Sequence, residues 1–254
     1  MRKKLKALAI DFDGTLVESN EIKDKAFDSI FSKWPEHREA MMQWHLADNT
    51  MVRQDKFRYF VEVILGKHGH VELIEKLTKR FSELSYEAIV NCPMVDGAQE
   101  FLDAYVSKVQ LFLVSATPQN ELSNILKERL LIRYFKEIHG APINKEKVLK
   151  KISSVENIST DKMLYIGDSP EDQQVAKTLG CHFIGRKSCR ELNVLTNPVY
   201  PDFVKIKEHL DFFYVFYTET NSLFCKRCRT RQCLACGTES LYLPTGAIVC
   251  GRST

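Results

Sequence analysis

Ala7-Leu8-Ala9-Ile10-Asp11-Phe12-Asp13-Gly14-Thr15-Leu16 joins an apolar run to two carboxylates and a glycine. The run Leu8 to Phe12 is too apolar for a surface strand, and Gly14 then breaks it. Asp11 and Asp13 are therefore predicted to emerge at the carboxyl end of a buried strand, the edge where open α/β sheets bind ligands. A calcium loop does not fit the register. With Asp11 at loop position one, the glycine belongs at position six, which Leu16 occupies. A solvated acidic turn is a poor match for so apolar a lead-in.

Working outward, Ala26, Phe27, Ile30, Phe31 and Trp34 form one helical face, closed by Pro35. The same spacing recurs over Phe57, Phe60, Val61, Ile64 and Leu65, and again from Leu73 to Ala88. Residues 20–91 are thus predicted to be an all-helical insert above a sheet. From Cys92-Pro93 the pattern alternates: helix Gly97–Val106, strand Val109–Val114, and a helix opened by Thr117 as N-cap with Pro118 in its first turn, running to about Leu131. An extended piece Glu137–Gly140, a helix from Lys145, strand Lys162–Ile166, helix Pro170–Leu179, strand Cys181–Ile184 and a last helix Phe203–Tyr217 complete it. Such alternation predicts an α/β fold with a parallel sheet and right-handed crossovers. The expected division is a core of residues 1–19 and 92–217, a helical cap of 20–91 and a Cys-rich tail of 218–254.

Hydrophobic content of 44% and charged content of 27% describe an ordinary globular chain. No apolar run approaches the ~20 residues of a membrane span. The basic start resembles that of a signal peptide, but Asp11 and Asp13 interrupt the apolar stretch, so a cytoplasmic location is expected. The net charge of +3 sits in the tail, where five basic side chains face Glu219 and Glu239. The remaining residues balance, which leaves the core without the footprint of a nucleic-acid binder.

Each predicted strand of the core ends in a group suited to phosphate or metal chemistry. Asp11 and Asp13 end the first, Ser115 the second, and Gly167-Asp168-Ser169-Pro170-Glu171-Asp172 follows a later one, while Lys145 opens an intervening helix. Carboxylates converging from separate strands suit a hard cation such as Mg²⁺. Ser169, Pro170 and Asp172 also read as a capping box, a purely structural role. Lys145 opposes the dipole of the helix it opens, a local rule broken without local gain. Lys147 is its rival.

With Asp11-Phe12-Asp13-Gly14-Thr15, Ser115, Lys145 and Gly167-Asp168-x-x-x-Asp172 in this order, residues 5 to about 217 resemble the haloacid dehalogenase superfamily. The resemblance implies a Rossmann-like core, and the helical insert resembles the cap of phosphoglycolate phosphatases and β-phosphoglucomutases. It implies that Asp11 attacks phosphorus to form an aspartyl-phosphate, and that Asp13 is acid and then base, with a raised pKa. Mg²⁺ would be bound by Asp11, Asp13 through its backbone carbonyl, Asp168 and Asp172, the last supporting either the metal or Lys145. Ser115, Ala116 and Lys145 would hold the phosphoryl oxygens. The expected activity is hydrolysis of a small phosphorylated metabolite. A sugar phosphomutase uses the same residues, and a non-enzymatic binding protein is the alternative from another class. Arg53, Lys56 and Arg58 are candidate anion contacts in the cap, against a solvated basic face; Trp44 and His45 read as packing or surface residues.

In the tail, Cys225-x2-Cys228-x4-Cys233-x2-Cys236 pairs thiolates as a zinc knuckle does, although the gap between pairs is short. The spacing leaves two readings open, a Zn²⁺ site or a basic appendage that contacts protein or nucleic acid.

Overall fold

Ala7, Leu8, Ala9 and Ile10 are all buried, because this strand has packed layers on both of its faces. The computed structural model describes residues 2–47 and 51–216. In chain order the strands are β1 (Lys3–Leu5), β2 (Ala7–Ile10), β3 (Gln110–Pro118), β4 (Glu137–Ala141), β5 (Met163–Gly167), β6 (His182–Arg186), β7 (Val199–Tyr200) and β8 (Tyr214–Phe216). Six of them form one parallel sheet in the order β4-β3-β2-β5-β6-β7. The chain runs outward from β2 through β3 to β4, then returns to β5 on its other side. The order therefore reverses at β2, and the crevice beyond its carboxyl end is the expected ligand site.

The helices are α1 (Asn20–Phe31), α2 (Pro35–Ala47), α3 (Arg53–Tyr59), α4 (Val71–Asn91), α5 (Ala98–Tyr105), α6 (Gln119–Glu128), α7 (Lys145–Val155), α8 (Pro170–Leu179) and α9 (Phe203–Phe213). Two apolar clusters cover the two faces of the sheet. One, around Phe12, Phe101, Leu102, Leu122 and Phe203, lies under α5, α6 and α9. The other, around Phe112, Val148, Leu149, Tyr165 and Val175, lies under α7 and α8. Helices α1 to α4 bury a third cluster of their own, with Phe27, Phe31, Phe57, Phe60 and Phe81 in mutual ring contact. A five-residue π-helix, Phe60–Ile64, continues α3.

Three expectations are corrected. Pro35 does not merely close α1 but opens α2, which the sequence pattern missed because only Met41 and His45 of that helix are buried. The helix after β3 does not start at Thr117. The strand runs on through Pro118, α6 begins at Gln119, and no side chain caps it. The last helix stops at Phe213, and Tyr214–Phe216 pairs in parallel with Lys3–Leu5 as a small separate ribbon. Three residues are too few to register as a period. Among the described residues no helix is long and apolar enough to cross a membrane, and Cys92, Cys181 and Cys189 are free thiols. Cys225, Cys228, Cys233, Cys236 and the rest of the tail lie outside the described residues.

Candidate active site

Asp11 follows β2 directly and is buried, and its neighbours across the sheet bring Ser115 on β3 and Asp168 after β5 to the same edge. Asp11, Asp168 and Asp172 each offer a carboxylate oxygen within 4.8 Å of the others. Burial pushes the Asp11 carboxyl well above the usual range, and Asp172, Asp168 and Asp13 add to this while Lys145 opposes it. Asp168 is raised for the same reasons, burial first and then Asp172. Three crowded, buried, hard oxygen donors with two of them strained upward are what a divalent cation such as Mg²⁺ would relieve. The donor set fits that ion.

Lys145 is buried, and its Nζ donates to Asp11 Oδ2 at 3.0 Å and Asp172 Oδ1 at 2.7 Å. Lys147, by contrast, is exposed. Both oxygens of Asp172 are in use. Oδ1 accepts from Lys145 and from the Tyr165 hydroxyl at 2.5 Å, and Oδ2 accepts from the Ser169 hydroxyl at 2.6 Å and its backbone N–H at 3.2 Å. The capping box is therefore present as well, and one carboxylate both opens α8 and fixes the lysine. Gly167 makes this approach feasible, since a Cβ there would lie 2.6 Å from the Asp172 carboxyl.

Asp13 lines the same cleft but is held by a different set of partners. Its oxygens accept from Ser19 at 2.7 Å and Thr117 at 2.7 Å, and Lys23 Nζ is 2.5 Å away. Burial would raise its pKa, but the charge and hydrogen bond of Lys23 and the two hydroxyls outweigh burial and lower it. The raised value expected from neighbouring carboxylates is thus overturned, because the nearest charge is a lysine. Thr117 explains the uncapped α6: its hydroxyl is spent on Asp13 rather than on the helix. Ser115 lies farther from Asp13, at 3.5 Å, and receives the Thr117 N–H at 3.1 Å.

Two residues at this edge, Asn20 and Arg186, carried no sequence signal. Asn20 donates to Asp168 at 2.8 Å from the first position of α1. Gly14, with φ +69°, must lack a side chain, since a Cβ would meet both Asn20 and Asp168 at 2.2 Å. Arg186, buried at the end of β6, holds the Gly14 carbonyl at 3.0 Å and pairs with Glu18. Asn20 and Arg186 belong to no motif of the sequence, whereas Gly14 lies within Asp11-Phe12-Asp13-Gly14-Thr15.

The strand ends open into a cleft of about 130 Å³, floored by Asp11, Asp13 and Lys145 and lined from the helical side by Lys23, His45 and Lys56 among others. Of the cap candidates, Arg53 and Lys56 reach this cleft, while Arg58 pairs with Asp55 on the surface. His45 is buried against the Phe27 ring at 4.1 Å, in keeping with its reading as a packing residue, and it lines the cleft too.

A doubly wound parallel sheet with a buried aspartate at its switch point, opposed by a buried lysine, defines an α/β enzyme with its chemistry at the strand ends. The chain belongs to the haloacid dehalogenase-like hydrolase family, whose profile matches residues 8–186. It is therefore an enzyme, and the non-enzymatic alternative falls. Phosphoglycolate phosphatase of Salmonella typhimurium is 25% identical over 205 residues, covering 71% of this chain and 81% of the relative. A predicted phosphoglycolate phosphatase from Haemophilus somnus superposes with a TM-score of 0.65 at 18% identity, over 81% of this chain and 97% of that one. YfnB of Bacillus subtilis, solved bound to magnesium and described as showing interdomain movement, gives 0.61 at 15% identity, over 83% and 100%.

Proposed function

We propose that the chain is a magnesium-dependent phosphatase that hydrolyses a small phosphomonoester through an aspartyl-phosphate on Asp11. One observation carries this reading: a buried Asp11 shares its strand-end pocket with Asp168 while Lys145 bridges Asp11 and Asp172. Lys145, Ser115 and the Ala116 backbone are the groups assigned to the phosphoryl oxygens. Mg²⁺, when bound by Asp11, Asp168 and the Asp13 carbonyl, supplies the charge neutralisation that lets an anionic nucleophile approach an anionic ester.

In the first half-reaction an Asp11 oxygen bonds to phosphorus as the ester oxygen departs and takes a proton from Asp13. In the second, Asp13 removes a proton from the water that attacks phosphorus and frees Asp11. The Lys23 contact holds Asp13 in the ionised form that the second step needs. Acting as the acid requires Asp13 to give that contact up. Residues 20–91 are assigned the role of a lid, crossing to the core near Glu18-Ser19 and Asn91-Cys92 and shielding the reaction from water.

A phosphate-release screen over phosphoglycolate, sugar phosphates and nucleotide monophosphates, with and without Mg²⁺, tests the proposal. Turnover of none of them in the presence of Mg²⁺ would sink it. Asp13→Asn is expected to lower kcat by about 10²–10⁴-fold. With an activated ester such as p-nitrophenyl phosphate, which leaves without a proton, a burst followed by trapped phosphoenzyme should be seen in quenched flow. Normal steady-state turnover would remove Asp13 from acid–base catalysis. Truncation after Tyr217 should keep kcat and KM within about twofold, because every assigned group lies in residues 11–172. A folded but inactive truncation would mean that the tail completes the site.

A further inference from the structure

The helical unit holds a cavity of its own, of about 460 Å³, between the turn that follows α1 and the first half of α4. It shares no lining residue with the catalytic cleft. Trp34 and Leu73, both half-buried, and the buried Leu77 give it an apolar lining. The indole is braced from behind, edge-on to the Phe60 ring at 5.0 Å. Around this lining stand Lys33, Lys76, Lys79 and Arg80, against the single carboxylate of Glu83.

The charges here are arranged against local advantage. Lys76 and Lys79 each follow a glutamate by four residues, Glu72 and Glu75, the spacing and direction in which a helix forms its better ion pairs. Neither pair forms. Both lysines line the cavity, whereas neither glutamate does. Lys33, Lys76 and Lys79 meet no carboxylate among the described residues, and Arg80 has only an exposed contact with Glu83 at 3.1 Å, which is worth little and easily exchanged. Lys76 also stands three residues from Lys79 and four from Arg80, where like charges repel along a helix. A cost of this kind with no gain inside the fold marks a site that a ligand completes.

We infer that this cavity binds a nucleoside diphosphate or triphosphate, with its phosphates among the lysines and its base on Trp34 and the leucines. The site is separate from the proposed catalytic one and does not depend on the phosphatase reading. Several cations gathered beside an exposed aromatic surface suit a ligand that joins a chain of phosphates to a flat apolar ring. A metal ion would be repelled, and a bare phosphate would leave the apolar lining wet. Residues 218–254 of the same chain are themselves basic, with five lysines and arginines against Glu219 and Glu239, and so have the wrong charge for it.

The test is a titration of the full chain in EDTA with ATP as the probe, and with inorganic triphosphate, adenosine and poly-glutamate as comparisons. The chain has two tryptophans, so a Trp44→Phe background leaves Trp34 as the one indole reporter. ATP should quench its emission saturably and bind more tightly than triphosphate or adenosine, and added salt should weaken the binding. Changing Lys76→Gln and Lys79→Gln together should raise the Kd for ATP by about tenfold, the worth of two exposed ion pairs, with the melting temperature as the check on folding. If Trp44→Phe does not fold, calorimetric titration of the unaltered tryptophans takes its place. The inference is overturned by the absence of saturable ATP binding, by a Kd that the lysine pair does not move, or by triphosphate binding as tightly as ATP. Poly-glutamate binding more tightly than ATP would overturn it too, and would make the cavity a contact for an acidic protein segment.

Discussion

Asp11→Asn is expected to lower phosphate release by on the order of 10⁴-fold or more, and at the same time to make the metal-free protein more stable. The sign follows from the crowding around Asp11, whose carboxyl is pushed up chiefly by burial and then by Asp172, Asp168 and Asp13 against the pull of Lys145. A folded-state pKa above the unfolded one means that this group's contribution is fully present below about pH 4. It is lost as pH rises through the folded value. Asparagine keeps the size of the side chain and cannot ionise. In EDTA the variant and wild type should therefore melt together near pH 4 and separate toward pH 8, with the variant the higher of the two. Mg²⁺ should raise the wild-type melting temperature more than the variant's. Thermal scans across pH decide this, and a variant less stable at pH 8 would mean that the carboxylates are not in conflict.

Lys145→Met should damage fold and turnover together. It leaves Asp11 and Asp172 buried without their shared cation, and removing one partner of such a pair costs about 3–5 kcal/mol. The loss in kcat should reach about 10³-fold, the scale of one preorganised charge aimed at the transition state. Urea unfolding and steady-state kinetics measure the two effects, with Lys147→Met, on an exposed side chain, as the control expected to stay within about 0.5 kcal/mol. Reversed results for these two lysines would transfer the phosphate-binding assignment to Lys147.

The parts of the molecule that were legible in advance share a physical property: each is set by a local pattern with a short period or a strict backbone demand. The buried β2, the alternation from Gly97 onward and the capping box Ser169–Asp172 are of this kind. Helix α2 was not legible, because a helix that buries only two side chains has almost no stripe to read. The start of α6 misled for a more informative reason. Thr117-Pro118 has the composition of a helix start, yet the hydroxyl is claimed by Asp13, more than a hundred residues away. Within the site, side chains tied to motifs could be named from the sequence, whereas Asn20, Lys23, His45 and Arg186 act through contacts that only the tertiary structure creates. The pKa of Asp13 turned on one of these, Lys23, and so its direction could not be read from the neighbouring carboxylates.

The seam between the helical unit and the core has a thermodynamic consequence. The apolar cluster of the core takes in Ile89 of α4 and is packed by Ile22, Tyr86 and Val90 of the helical unit, while other side chains that meet across the seam are polar: Lys23 on Asp13, Arg190 on Asp24, Arg53 and Ser82 on Glu121, and Tyr86 on Glu128. Separating such a seam wets apolar and polar surface together, so it carries a share of the heat-capacity change that accompanies exposure of a hydrophobic core. Ionic strength should be a second control, since charges that become exposed are screened within about 8 Å at physiological salt. A seam fastened in both ways answers to temperature through its apolar part and to salt through its charges.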